Sequence, residues 1–293
     1  MRPLLLALAV SLALPLTACG QDAAPDVTSA VLAGTAARDG TASTSASYAF
    51  DQPVAVFTLP EELREISALT VLDERHLGAV QDEEGALFVL DVETGEVVTV
   101  VPFGPAGDYE GVELAAGRLF VLRSDGALLE LEGWEGGPSR VQTYALDLPT
   151  DCDAEGLGYD GAAGSLLIAC KEDGGVGVNG QKAIFALHLD DWALGRQPAY
   201  VLDARGVNGD REVKPSAVAV HPVTGQVAVL SSTLPVLVAL APGGAVAHAW
   251  DLSAAGFEQP EGLAFLPNGD LFIASEGDDG PPLLKRFEYL EAP

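Results

Sequence analysis

Asp108 and Glu110, and then Asp153 and Glu155, stand two residues apart in the segments "DYEGV" and "DAEGL". In an extended strand, residues two apart share a face. Four carboxylates forced together either bind a hard cation through oxygen or share protons at raised pKa values. Glu65 in "REIS" and Glu261 in "QPEGL" occupy matching places and extend the set to six candidate metal ligands. Calcium suits an irregular oxygen cage better than magnesium does, so calcium is the expected cofactor. The competing reading is a charge network, in which Arg123, Lys171 and Lys214 neutralise the acids and pin neighbouring segments together.

Other chemistry is sparse. "DCDAEGLGYDGAAG" contains a G-x-G-x-x-G spacing, but acids precede it and the β-type run "SLLIAC" follows. A dinucleotide site needs a buried strand before the glycines and a helix after them. The sequence has no G-x-S-x-G and no H-E-x-x-H. The four histidines are His76, His188, His221 and His248, none of them placed with the acids. His221, in "AVHPVTGQ", reads as a solvated turn residue. A metal-activated water would need neither Ser nor His, so hydrolysis of a phosphate ester stays open.

The elements that must position these residues repeat along the chain. "EISALTVLDERHLGAVQDE", "DYEGVELAAGRLFVLRSDG", "DAEGLGYDGAAGSLLIACKED", "KPSAVAVHPVTGQVAVLSST" and "QPEGLAFLPNGDLFIASEG" share one pattern. Each has a small or polar start, an apolar strand, a turn, and a second apolar strand with a polar end. The aligned positions Ser67, Glu110, Glu155, Ser216 and Glu261 lie 43, 45, 61 and 45 residues apart. That period, with several short strands per unit, predicts an all-β fold, a single β-propeller of five four-stranded blades. Six blades are the alternative, if the longer third unit hides one. The last unit lacks a fourth strand, and "YAFDQPVAVFTLP" near the N-terminus supplies one that closes the ring.

In such a ring the start of each innermost strand and the end of each second strand meet at one mouth of the central channel. The expected ligand rim is therefore Asp82, Arg123, Lys171, Glu172, Lys214, Ser216 and Glu276 beside the six acids. Gly156 lets innermost strands crowd near the axis. Cys152 precedes one strand and Cys170 ends its antiparallel neighbour, so a disulfide between them would staple the rim.

Residues 1–18 have the profile of a lipoprotein signal peptide, with Leu16-Thr17-Ala18-Cys19 resembling a lipobox and Cys19 the lipidated residue. Residues 19–47 are poor in large apolar residues and read as a flexible tether, leaving 48–293 as the propeller. Export and lipid attachment to the envelope membrane follow. Gly20, rather than an acid, follows the cysteine, which favours the outer membrane or cell surface over the inner membrane. The formal charge of −28 excludes a nucleic-acid partner. A monomer is expected, binding a small ligand or an envelope protein at a propeller face.

"LPEELREISALTVLD", "GDYEGV", "DAEGLGYD", "KPSAVAVHPVTGQVAVLSS" and "QPEGLAFLPNGDLFIASEGDDG" together resemble the SdiA-regulated domain family of exported bacterial β-propellers. The resemblance covers roughly residues 48 to 291 and implies a propeller at the cell envelope with calcium in its channel, but no activity. More distantly, the repeated E-G-[LV] resembles that of esterase-like phytase propellers. The expected function is a non-enzymatic binding module, with a metal-dependent phosphoesterase as the alternative.

Overall fold

The successive apolar runs of each repeat pair in order as antiparallel strands of one sheet. The computed structural model of the protein describes residues 47–136, 140–177, 180–203, 207 and 212–290. The expected signal peptide, Cys19 and the tether up to residue 46 lie outside the described residues.

Strand β1 (Ala55–Thr58) comes first and belongs to the last blade. Blade 1 is β2 (Ile66–Val71), β3 (His76–Gln81), β4 (Ala86–Asp91) and β5 (Val97–Pro102). Blade 2 is β6 (Tyr109–Ala115), β7 (Arg118–Arg123), β8 (Ala127–Glu132) and β9 (Arg140–Ala145). Blade 3 is β10 (Ala154–Asp160), β11 (Ser165–Cys170) and β12 (Gln181–His188), with its outer edge split between β13 (Ala193–Leu194) and β14 (Tyr200–Asp203). Both short strands pair with β12, so the extra length of the third unit makes a broken fourth strand and not a sixth blade.

Blade 4 is β15 (Pro215–Val220), β16 (Val227–Ser231), β17 (Val236–Leu240) and β18 (Val246–Asp251). Blade 5 is β19 (Pro260–Phe265), β20 (Leu271–Ser275) and β21 (Leu283–Phe287), completed by β1, which pairs antiparallel with β21 from Ala55↔Arg286 to Thr58↔Leu283. The propeller therefore has five blades, and the N-terminal strand closes it.

The core is five apolar seams, one at each blade–blade junction. Alternation along a strand feeds two seams at once. Leu166 and Ile168 of β11 face blade 2, while Leu167 and Ala169 face blade 4. This is why the strands read as continuous apolar runs, and each fully buried Leu or Ile contributes about 1.5–3 kcal/mol. The innermost strands β2, β6, β10, β15 and β19 are neighbours in that cyclic order. At Gly156 a Cβ would lie 2.9 Å from the Val218 nitrogen, so only glycine lets β10 approach β15 this closely.

Candidate functional site

All five innermost strands carry the same irregularity. The register against the second strand shifts between Ile66 and Ala68, Tyr109 and Gly111, Ala154 and Gly156, Pro215 and Ala217, and Pro260 and Gly262. The residue skipped in each blade is Ser67, Glu110, Glu155, Ser216 or Glu261, the positions that align in the sequence. A bulge residue is left out of the ladder and its side chain is re-aimed. In blades 1 and 4 it hooks the next blade: Ser67 Oγ donates to the Tyr109 carbonyl at 2.6 Å and Ser216 Oγ to the Pro260 carbonyl at 2.9 Å. In blades 2, 3 and 5 the same place holds a glutamate.

These three carboxyls act electrostatically on one another, with Glu110 half-buried and the other two buried. Glu155 is 5% exposed and Glu261 8%. Burial, then the charges of Glu155, Asp108 and Glu261, holds Glu110 far above the usual carboxylate range. Burial raises Glu155 as well, against the lowering pull of Lys171. Glu261 is pushed up to about 8 by burial, then by Glu276 and Glu155. Lys171 Nζ donates to Glu155 Oε1 at 2.9 Å. Although burial pulls its ammonium down, Glu155, Glu261 and Asp153 push it up to about 12.

A second acidic group lies toward blades 5 and 1. Asp82 is pushed up to about 6 by burial, then by Glu65, Glu83 and Asp108. Among the described residues its Oδ1 is buried without a hydrogen-bond partner. Glu276 is pushed up to about 7 by burial, then by Glu65, Asp82 and Asp278, and it accepts from Gln259 Nε2 at 2.5 Å. Beside this group a cavity of about 610 Å³ is lined by Gln81, Asp82, Glu83, Glu84 and Asp108, with glycines at 85, 104 and 107.

The expected rim residues thus divide. Asp108, Glu110, Asp153, Glu155, Glu261 and Lys171 form the central group, and Glu65, Asp82 and Glu276 the second. The others are drawn into ion pairs: Arg123 with its neighbour Asp125 at 2.5 Å, and Lys214 of blade 4 with Glu172 of blade 3 at 2.5 Å. Glu172 also lies 3.7 Å from the buried Lys182, which pairs with Glu212 at 2.8 Å. Cys152 and Cys170 are joined in a disulfide, both buried, and Asp153 beside them has a left-handed backbone at φ 49°. The acid Ser124 binds is Asp108.

Sequence reasoning missed two groups. Glu113, inside the inner strand "YEGVELA", is pushed up to about 8 by burial, opposed by a hydrogen bond from Thr70. A charged residue within an otherwise apolar inner strand was its signal. His221 is a correction: it is 2% exposed, and its ring is packed against Phe265 and Tyr289, not solvated.

Among the described residues, no group of three or more His, Cys, Asp or Glu side chains stands ready to hold a metal ion. Within the central group, Lys171 pairs with Glu155 and also feels the charges of Glu261 and Asp153. Chemically, burial and mutual repulsion favour the protonated form of the rim acids.

No curated protein matches this sequence. Among solved structures it is similar to the glutaminyl cyclase of Myxococcus xanthus, with 18% identity and a TM-score of 0.59 over 82% of this chain and 97% of that one. It is also similar to the PQQ-bound aldose sugar dehydrogenase of Streptomyces coelicolor, with 11% identity and a TM-score of 0.50 over 84% and 99% of the two chains. Identities this low show the shared fold alone. The SdiA-regulated family model matches residues 54–287, and this five-bladed propeller belongs to that family.

Proposed function

We propose that the protein is a lipid-anchored, non-enzymatic binding module of the cell envelope, whose propeller receives a cation-organised ligand at the acidic mouth. One observation carries this reading: the bulge position of three blades holds Glu110, Glu155 and Glu261, whose charges act on one another, while Lys171 acts on Glu155 and Glu261. Carboxyls held together against burial and repulsion are relieved by a hard cation, and calcium is the candidate. The neighbouring cavity leaves room for a small ligand beside the ion. The anchor at Cys19 rests on the sequence alone.

Calcium titration of the protein by calorimetry, with elemental analysis, tests the reading. The expected result is stoichiometric calcium with proton release, abolished in Asp108→Asn combined with Glu155→Gln. No binding of any divalent ion would return the acids to a charge network, and function would move to partners docking on the faces.

A metal-dependent phosphoesterase would use the same rim. Lys171 and Lys214 are already held by Glu155 and Glu172, which leaves fewer cations for a phosphate group. Turnover of phosphate esters in the presence of calcium would overturn the binding-module reading in its favour.

A further inference from the structure

We infer that His221 is a proton-operated latch that fastens the N-terminal segment closing the ring. The geometry fixes how its ring is protonated. Nδ1 faces the backbone N–H groups of Val223 and Thr224, both at 3.2 Å, and so must accept. This is the part an aspartate plays in the matching turn of blade 3, where Asp160 Oδ1 accepts from Ala162 at 3.0 Å and Ala163 at 3.1 Å. The proton therefore sits on Nε2, which donates to the Tyr48 hydroxyl at 2.8 Å, and that hydroxyl donates to the Gly269 carbonyl at 2.7 Å. One line of bonds runs from a blade 4 turn through imidazole and phenol to a blade 5 turn. Tyr48 belongs to the segment leading into β1, and its ring packs among Phe50, Trp250, Phe265 and Tyr289.

A second proton on the imidazole has no place in this arrangement. It would sit on Nδ1 and point at two N–H donors. Among the described residues the titratable and charged neighbours are Tyr48 and Tyr289, His248 behind Trp250, and Asp270, which is engaged by Arg286 and the Tyr289 N–H. None offers the ring a counter-charge. Burial pulls His221 down to about 4 from an ordinary 6.5. The latch therefore holds at neutral pH, and acid drives the ring out, freeing Tyr48 and the outermost strand β1.

The test is hydrogen exchange, comparing protection of β1 amides with those of β6 in the full chain. If opening restores an ordinary histidine, it becomes about 50-fold more frequent between pH 7 and pH 4.5, while β6 stays protected. His221→Asn keeps a turn acceptor but removes the bond to Tyr48 and the titration. Its β1 is expected to be loosened already at pH 7, with little further response to acid. A flat β1 response in the native chain, or an equal response in His221→Asn, would overturn the proposal. Imidazole nitrogen shifts of the native chain give a check that needs no variant: an Nδ1–H tautomer at pH 7 would also sink it.

Discussion

The Lys171 ammonium lies 2.9 Å from Glu155 Oε1, so a side chain of the protein itself stands where a cation would be drawn among the bulge carboxyls. Lys171→Met leaves Glu155, 6% exposed at its side chain, without that counter-charge. Since Lys171 is about one-third exposed, the loss is expected at about 1–3 kcal/mol and not at the full value of a buried pair. Chemical unfolding at pH 7 measures it. The same variant should bind calcium more tightly than the native protein, because the ammonium and the ion compete for Glu155. Weaker calcium binding would show that Lys171 helps to build the site.

Glu261 makes stability depend on pH in the direction opposite to most carboxylates. Its folded value is about 8 against an ordinary 4.5, so the folded state keeps a proton that the unfolded chain gives up. Between those values the folded state binds more protons, and stability falls as pH rises from about 4.5 to 8. Glu261→Gln removes this loss and is expected to stabilise the protein by roughly 2–4 kcal/mol at pH 8, with little effect at pH 4. Unfolding curves at the two pH values check it; identical slopes in both proteins would rule out the buried, protonated acid.

Ser67 and Ser216 bind different blades and share no partner. Ser67→Ala and Ser216→Ala are each expected to lose about 1 kcal/mol, and the double variant their sum. Denaturant midpoints decide this, and no change in either would mean that the carbonyls find other donors.

The repeat was legible because each unit writes the same small-polar start before an apolar strand, and because two-sided burial leaves continuous apolar runs. Ring closure was legible from one missing and one spare strand. The alignment also marked Ser67, Glu110, Glu155, Ser216 and Glu261, but for a reason only partly right. Simple alternation places residues two apart on one face, whereas a bulge at each of these residues breaks that alternation. No residue type in "YEGV" or "KPSA" announces a bulge, whereas the charge-network reading did anticipate that Lys171 and Lys214 pair with acids. The burial of His221 was hidden too, since its partner Tyr48 is 173 positions away.

The Cys152–Cys170 disulfide closes a loop of 18 residues at the base of the rim. Replacing both cysteines by alanine is expected to lower stability by about 3 kcal/mol, from the greater freedom of the unfolded chain. Thermal unfolding of the double variant measures the loss. Calcium titration of the same protein would show whether the staple also orders Asp153, whose left-handed backbone adjoins it.

Closure by β1 makes the ends of the domain interdependent. Ala55 must find Arg286, so the first strand to be synthesised waits for the last. Contacts this distant in sequence form slowly, because the loop must close before they stabilise anything. Until then the Phe57 side of β1 and the Leu284 side of β21, which share one seam, are both uncovered. A domain that lacks β1 or β21 leaves that seam open. The last seam of the ring is thus covered only when strands from both ends of the domain have met.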